Sequence, residues 1–123
     1  MEQPRAAHGY DLEERTARFA GRVFALVQAL PRTLVIIEIA QQLVRSAGSV
    51  GANYIEANES LGRRDFLMRI RISRKEAKES VYWLGLLTCP DDLQQEREAL
   101  RQEAHELMLI FGAILRNSLA QSH

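Results

Sequence analysis

The sequence predicts an all-α fold, an antiparallel up-down-up-down four-helix bundle. Three observations predict it. Apolar residues recur at alternating spacings of three and four in four windows, the seam of a helix that packs on other helices. Leu30-Pro31, the polar stretch Asn58 to Gly62 and Cys89-Pro90 divide those windows with short connections, and short connections make neighbouring helices antiparallel. No window alternates apolar and polar residues as a half-buried strand does.

The first seam is Leu12, Thr16, Phe19, Val23, Leu26 and Leu30. It ends at Pro31, because the residue before a proline avoids the helical region. Thr33 can cap the second helix by accepting an amide hydrogen bond. The second seam runs Ile36, Ala40, Leu43, Ala47, Val50, Tyr54 and Ala57. The third is Phe66, Ile70, Ser73, Ala77, Val81 and Leu84. After Pro90, Asp91 or Asp92 is expected to cap the fourth helix, where acidic residues suit the positive end of the dipole. Its seam is Leu93, Leu100, Ala104, Leu107, Phe111 and Ile114. The expected organisation is a flexible tail over residues 1–10, a bundle over 11–117 and a frayed tail over 118–123.

With 123 residues the chain makes one domain. A hydrophobic fraction of 46% and a charged fraction of 26% are those of a soluble globular protein. No apolar run approaches the ~18 residues of a membrane span, and residues 1–5 lack a signal-type stretch. A cytoplasmic location is the expectation. Cys89 is the one cysteine, so no intramolecular disulfide forms, in keeping with a reducing compartment. Beside Pro90 it reads as a loop or helix-end residue.

The segment Arg45 to Ala57 holds the densest information. Gly48, Gly51 and Ala52 lie three and four apart, so they let another helix backbone come close. Each interior glycine costs about 1 kcal/mol of helix stability, so two of them need a packing reason. Arg45, Ser49, Asn53 and Glu56 share a polar stripe beside them. Such a stripe reads as a structural hydrogen-bond network, because buried polar groups are costly when unpaired. Arg45 is expected to meet Glu76 or Glu79 on the neighbouring helix.

Arg45-Ser46-Ala47-x-Ser49-Val50-x-Ala52-Asn53-x-x-Glu56-Ala57, followed by Asp65-Phe66 and by Lys75 to Leu84, resembles the four-helix bundle family related to the 23S rRNA-intervening-sequence protein. Leu30-Pro31 is similar to that family too. The resemblance runs from about Asp11 to Asn117 and is sharpest between Gln42 and Leu87. Ala57 departs from it, standing where many relatives carry glycine. The resemblance implies a cyclic homo-oligomer, with relatives forming pentamers. It also implies a link to nucleic acid, since some relatives accompany reverse transcriptases of diversity-generating retroelements.

The net charge is zero, which argues against a strongly basic nucleic-acid binder. Its distribution is uneven. Between Asn58 and Ser80 there are seven basic and four acidic residues; between Asp91 and Arg116 there are three basic and six acidic. The plain reading is that the third and fourth helices exchange surface ion pairs, worth little individually. The sharper reading is a basic face on the third helix that meets phosphate. Arg64, Arg71, Lys75 and Lys78 form one flank of it, and Arg63 with Arg74 another. Such clusters contact phosphates without reading sequence.

Enzyme classes find little support. Glu76 and Glu79 resemble a carboxylate pair, but a di-iron bundle needs Glu-x-x-His motifs, and Gln102 stands three positions before His105. His8 and His123 lie toward the ends. No metal or other cofactor site is expected, and no small-molecule substrate or membrane partner. Arg101 and His105 are a near miss for an Arg…His ribonuclease motif. No glycine-rich phosphate loop follows a strand. Apolar residues off the seams, such as Val35, Ile37, Tyr82, Leu86 and Leu109, point to association surfaces and to closed symmetry. The functional expectation is a non-enzymatic oligomeric bundle that binds RNA or DNA. The alternatives are a protein-binding adaptor and a small nuclease.

Overall fold

The structure, a computed structural model, describes the backbone of residues 4–121 and the side chains of residues 12–121. Four long helices make up the bundle: α1 (Pro4–Gln28), α2 (Leu34–Asn58), α3 (Arg63–Leu86) and α4 (Gln94–Ala120). A short 3₁₀ turn, Asp91–Leu93, precedes α4. Helical backbone starts at Pro4, ahead of the Asp11 boundary read from the first seam, and reaches Ala120 at the other end. The tail expectations for residues 1–3, 122 and 123, and for His123, fall outside the described residues, as does the His8 side chain.

Cross-helix contacts run in opposite chain directions at every interface. Thr16 meets Gly51 and Glu13 meets Asn58 between α1 and α2. Ser46 meets Ser80 and Val50 meets Ser73 between α2 and α3. Arg74 lies at Gly112 and Arg101 at Gly85 between α3 and α4. Arg22 meets Glu96 and Arg15 meets Glu106, closing α4 on α1. The bundle is therefore antiparallel throughout, and the most extensive packing joins α2 to α3 and α3 to α4.

The predicted seams form the core. All six residues of the first seam are buried, as are Leu43, Ala47 and Val50 of the second and Leu100, Leu107 and Phe111 of the fourth. Each large side chain taken out of water stabilises the fold by about 1.5–3 kcal/mol. Ile36, Phe66, Val81, Leu93 and Ile114, toward the seam ends, are partly buried and pack on the same core. Tyr54 and Phe111 stack tilted across it, with ring centroids 5.6 Å apart.

Thr33 caps α2, its hydroxyl accepting from the Ile36 amide at 3.2 Å. The turn after α2 needs no left-handed residue; no non-glycine residue has positive φ among those described, so Ala57 serves there. The cap of α4 departs from expectation. Asp91 and Asp92 sit inside the 3₁₀ turn and no side chain caps α4. The turn replaces the side-chain cap because its tighter bonding already uses these backbone groups: the Leu93 amide donates to the Pro90 carbonyl at 2.9 Å. Arg97 instead reaches back to the Leu84 carbonyl at 3.1 Å, satisfying the C-terminal end of α3.

Of the small-residue positions, Gly51 is where a backbone comes close. A Cβ there would lie 2.7 Å from Thr16 Oγ1 and 3.0 Å from Thr16 Cβ. At Gly48 the nearest atom is the Phe24 ring at 3.9 Å, and Ala52 is exposed. The close seam of α2 and α3 uses Ser46, Ala47, Ser73, Ala77 and Ser80, all buried. Ser46 and Ser80 share a hydrogen bond of 2.9 Å, and Ser80 donates to the Glu76 carbonyl at 3.0 Å. Ser73 donates to the Val50 carbonyl across the interface at 2.9 Å. Hydroxyls bonded this way sit in a core without an unpaired-group cost.

Candidate nucleic-acid interface

The polar stripe of α2 is not a buried network. Arg45 and Glu56 are exposed, while Ser49 and Asn53 are half-buried. Arg45 does reach across to α3, with Nη2 3.6 Å from Glu79 Oε1 and Nη1 3.9 Å from Glu76 Oε1. Asn53 donates to the Ser49 carbonyl and accepts from Arg69 Nη1, each at 3.0 Å. Glu56 makes no side-chain contact of this kind among the described residues; its carbonyl accepts from Ser60 Oγ. The buried polar line lies one position over, at Ser46, Ser73, Ser80 and Glu76. Stripe spacing does not distinguish neighbouring helix positions 100° apart, and only the partner helix decides which of them faces inward.

On α3 the basic residues divide as their spacing implies. Arg64, Arg71, Lys75 and Lys78 point outward on one exposed face, which ends in Tyr82. Tyr82 packs edge-on against Trp83 at 4.9 Å between ring centroids and stays 59% exposed. Lys75 has a loose ion pair with Glu79 at 3.9 Å. Arg64, Arg71 and Lys78 form no hydrogen bond or ion pair among the described residues. Arg63 is engaged differently. Its guanidinium donates to the Ser118 carbonyl, so it closes the C-terminal end of α4 and offers less to a ligand.

The third and fourth helices do not exchange ion pairs. Among the described residues the acids of α4 turn to α1 or to their own helix. Arg15 takes Glu103 at 2.7 and 3.0 Å and Glu106 at 2.9 Å; Arg22 takes Glu96 through two bonds of 3.0 Å. The Glu103 carboxylate holds the Arg15 guanidinium above its ordinary pKa, against the opposing effect of burial, and Glu96 does the same for Arg22. Glu98 takes Arg101 at 3.2 Å. The negative charge of α4 is thus neutralised away from α3, and Arg64, Arg71 and Lys78 keep no carboxylate partner among the described residues.

The residues of the ribonuclease near miss lie one helical turn apart on α4. Arg101 and His105 border a shallow hollow with Val81, Glu98 and Gln102, and Arg101 is held by Glu98. Among the described residues no group of three or more His, Cys, Asp or Glu converges to hold a metal ion. Cys89 is buried, and burial raises its thiol pKa while Arg97 pulls the other way. No described helix is long and apolar enough to cross a membrane.

At the far end of the bundle, α1 and α2 border an open groove of about 410 Å³. Val27, Leu30, Ile36, Ile37 and Val44 supply its apolar walls, and Arg45 stands at one edge. Leu34 and Val35 beside it are largely exposed.

The model of the 23S rRNA-intervening sequence protein family matches residues 10–112, most of the four helices just described. The chain belongs to that family. A solved structure with the same fold is a protein of unknown function from the S23 ribosomal protein family of Bacteroides thetaiotaomicron. It is 26% identical, with a TM-score of 0.75 over 88% of this chain and 97% of that one. No curated protein matches the chain.

Two features of the surface escape a reading of the sequence. Arg69 is drawn to Asn53 of α2 and so leaves the basic face. Arg116 of α4 joins α3, its Nη1 lying 3.5 Å from the point where a Gly112 side chain would begin, beside Arg74 Nε at 3.4 Å. A separation of more than 40 positions hides that neighbour in the sequence.

Proposed function

We propose that this family member is a non-enzymatic, self-associating helical bundle that binds RNA or DNA through the phosphate backbone, using the outward face of α3. The observation that carries this reading is the pairing of Glu96, Glu103 and Glu106 with α1. It leaves Arg64, Arg71 and Lys78 without carboxylate partners among the described residues. Cations on a rigid helix contact phosphates and release counterions, giving affinity without sequence readout. Tyr82 at the end of that face offers a ring on which a base can stack. The family's description, with its reference to a 23S rRNA intervening sequence, is in keeping with a nucleic-acid partner.

Self-association supports the reading from a second side. The apolar groove between α1 and α2, with Leu34 and Val35 beside it, suits a second copy of the chain, and the family resemblance implies a cyclic pentamer. Repeating the α3 face around a ring multiplies weak phosphate contacts into avidity. A protein-binding adaptor is the competing use of the same groove.

Fluorescence anisotropy with a labelled RNA hairpin and a labelled DNA duplex tests the proposal, at low and physiological salt. Micromolar binding that falls steeply with salt and is lost in Arg71→Glu is the expected result. Absence of binding at low salt would remove the nucleic-acid reading and leave the adaptor. Light scattering that gives the mass of one chain across the micromolar range would remove self-association.

A further inference from the structure

We infer that Arg116 of α4 belongs to the nucleic-acid surface, forming with Arg74 a two-arginine seat for a single backbone phosphate above Gly112. The inference rests on the phosphate-binding reading of α3 and extends that surface onto a second helix.

The seat starts from a glycine. Gly112 lies inside α4, where glycine is costly, yet it is buried. The atoms nearest its absent side chain are Arg74 Nε at 3.4 Å, Arg116 Nη1 at 3.5 Å and Arg74 Cδ at 3.8 Å. The two guanidinium groups therefore roof the glycine from opposite helices. Two cations gathered over one residue repel each other. α3 carries no acidic residue from Phe66 to Lys75, and α4 none from Leu107 to Gln121. Neither Arg74 nor Arg116 has an ion pair among the described residues.

A phosphodiester is the ligand this arrangement fits. Its two unesterified oxygens match the planar donor fork of arginine, and one anion between two forks converts mutual repulsion into two charge-assisted contacts. The bundle holds the seat in advance. Arg63 ties α3 to the Ser118 carbonyl of α4, and Leu107 and Phe111 pack α4 into the core alongside. The seat thus sits on rigid elements, which lowers the ordering cost of binding. A backbone that runs along Arg71 and Lys75 on the outer face reaches Arg74 on the next flank of the same helix.

The test measures anisotropy of a labelled RNA hairpin at several salt concentrations, with thermal melts to verify folding. The variants are Arg74→Gln, Arg116→Gln, their combination, and Arg18→Gln on α1 as an exposed control. Each of the first two is expected to weaken binding about five- to tenfold and to lower the salt slope by about one contact. The double variant is expected to bind about as weakly as either single one, because both arginines serve the same phosphate. If Arg116→Gln binds like wild type and like Arg18→Gln while Arg71→Glu abolishes binding, Arg116 is off the surface and the α3 reading stands alone. Losses that multiply in the double variant would assign the arginines to separate phosphates and overturn the shared seat. A wild-type protein that binds nothing at low salt overturns both this inference and the reading beneath it.

Discussion

Arg15 of α1 grips Glu103 of α4 with two hydrogen bonds, Nε to Oε2 at 2.7 Å and Nη2 to Oε1 at 3.0 Å. Glu106 adds a third contact to the same guanidinium at 2.9 Å. This fork directs the acidic side of α4 toward α1 and leaves α3 basic. Glu103→Gln is expected to lower stability by about 0.5–1 kcal/mol, since the pair is partly exposed. The loss should shrink in high salt. The sign of its pH dependence follows from the raised Arg15 pKa. The stability is fully present below the ordinary arginine value and lost only as pH rises through the raised one, so the arginine side does not titrate near neutrality. Urea unfolding of both proteins at two salt concentrations measures the effect.

Gly51 and Gly48 should respond oppositely to alanine. At Gly51 the new Cβ would meet Thr16 Oγ1 at 2.7 Å, and Thr16 is buried where its hydroxyl donates to the Leu12 carbonyl. Gly51→Ala is expected to cost about 1–3 kcal/mol through overpacking. At Gly48 the phenyl ring of Phe24 stands at an ordinary 3.9 Å, so Gly48→Ala should gain about 0.5–1 kcal/mol from the helix backbone. Paired denaturation curves decide, and a Gly51→Ala protein as stable as wild type would show that the α1–α2 contact is loose.

The Arg45–Glu76 contact joins an exposed cation to a buried carboxylate. Glu76 Oε1 accepts no hydrogen bond among the described residues, and Arg45 Nη1 lies 3.9 Å away. Removing the arginine leaves that charge with no nearby compensation. Arg45→Ala is expected to destabilise by about 1–2 kcal/mol, less than a fully buried pair loses because Arg45 is half in solvent. Glu76→Met should be neutral or stabilising, and it should recover most of the loss when added to Arg45→Ala. Equal stability of Arg45→Ala and wild type would show that the contact contributes nothing.

Cys89 should react slowly while the chain is folded. It is 7% exposed, and burial raises its pKa. Both effects suppress the thiolate. Iodoacetamide labelling near pH 8 is expected to be slow in buffer and fast in urea. Because the unfolded thiol ionises first, stability should be unaffected below roughly pH 8.5 and fall as pH rises toward the folded value. Cys89→Ala should remove that decline. Labelling as fast in buffer as in urea would place the thiol at the surface.

The sequence by itself determined the number of helices, their order and their inward faces. Leu12, Phe19, Leu43, Val50, Ile70, Leu107 and Phe111 were all legible because burial repeats with the helical period, a property each helix carries locally. Thr33 was legible for the same reason, since a cap bonds to its own chain three residues on. Only the tertiary structure decided how charges and small polar groups are partnered. The buried line is Ser46, Ser73 and Ser80, where the stripe pointed to Arg45, Ser49, Asn53 and Glu56. The acids of α4 pair with Arg15 and Arg22, where the opposite charge balance of the two regions pointed to α3. Arg116 joins Arg74 across 42 positions. Helical spacing reports which residues share a face. Which neighbour that face meets depends on the rotation and register of a second helix, and packing of all four helices sets those together.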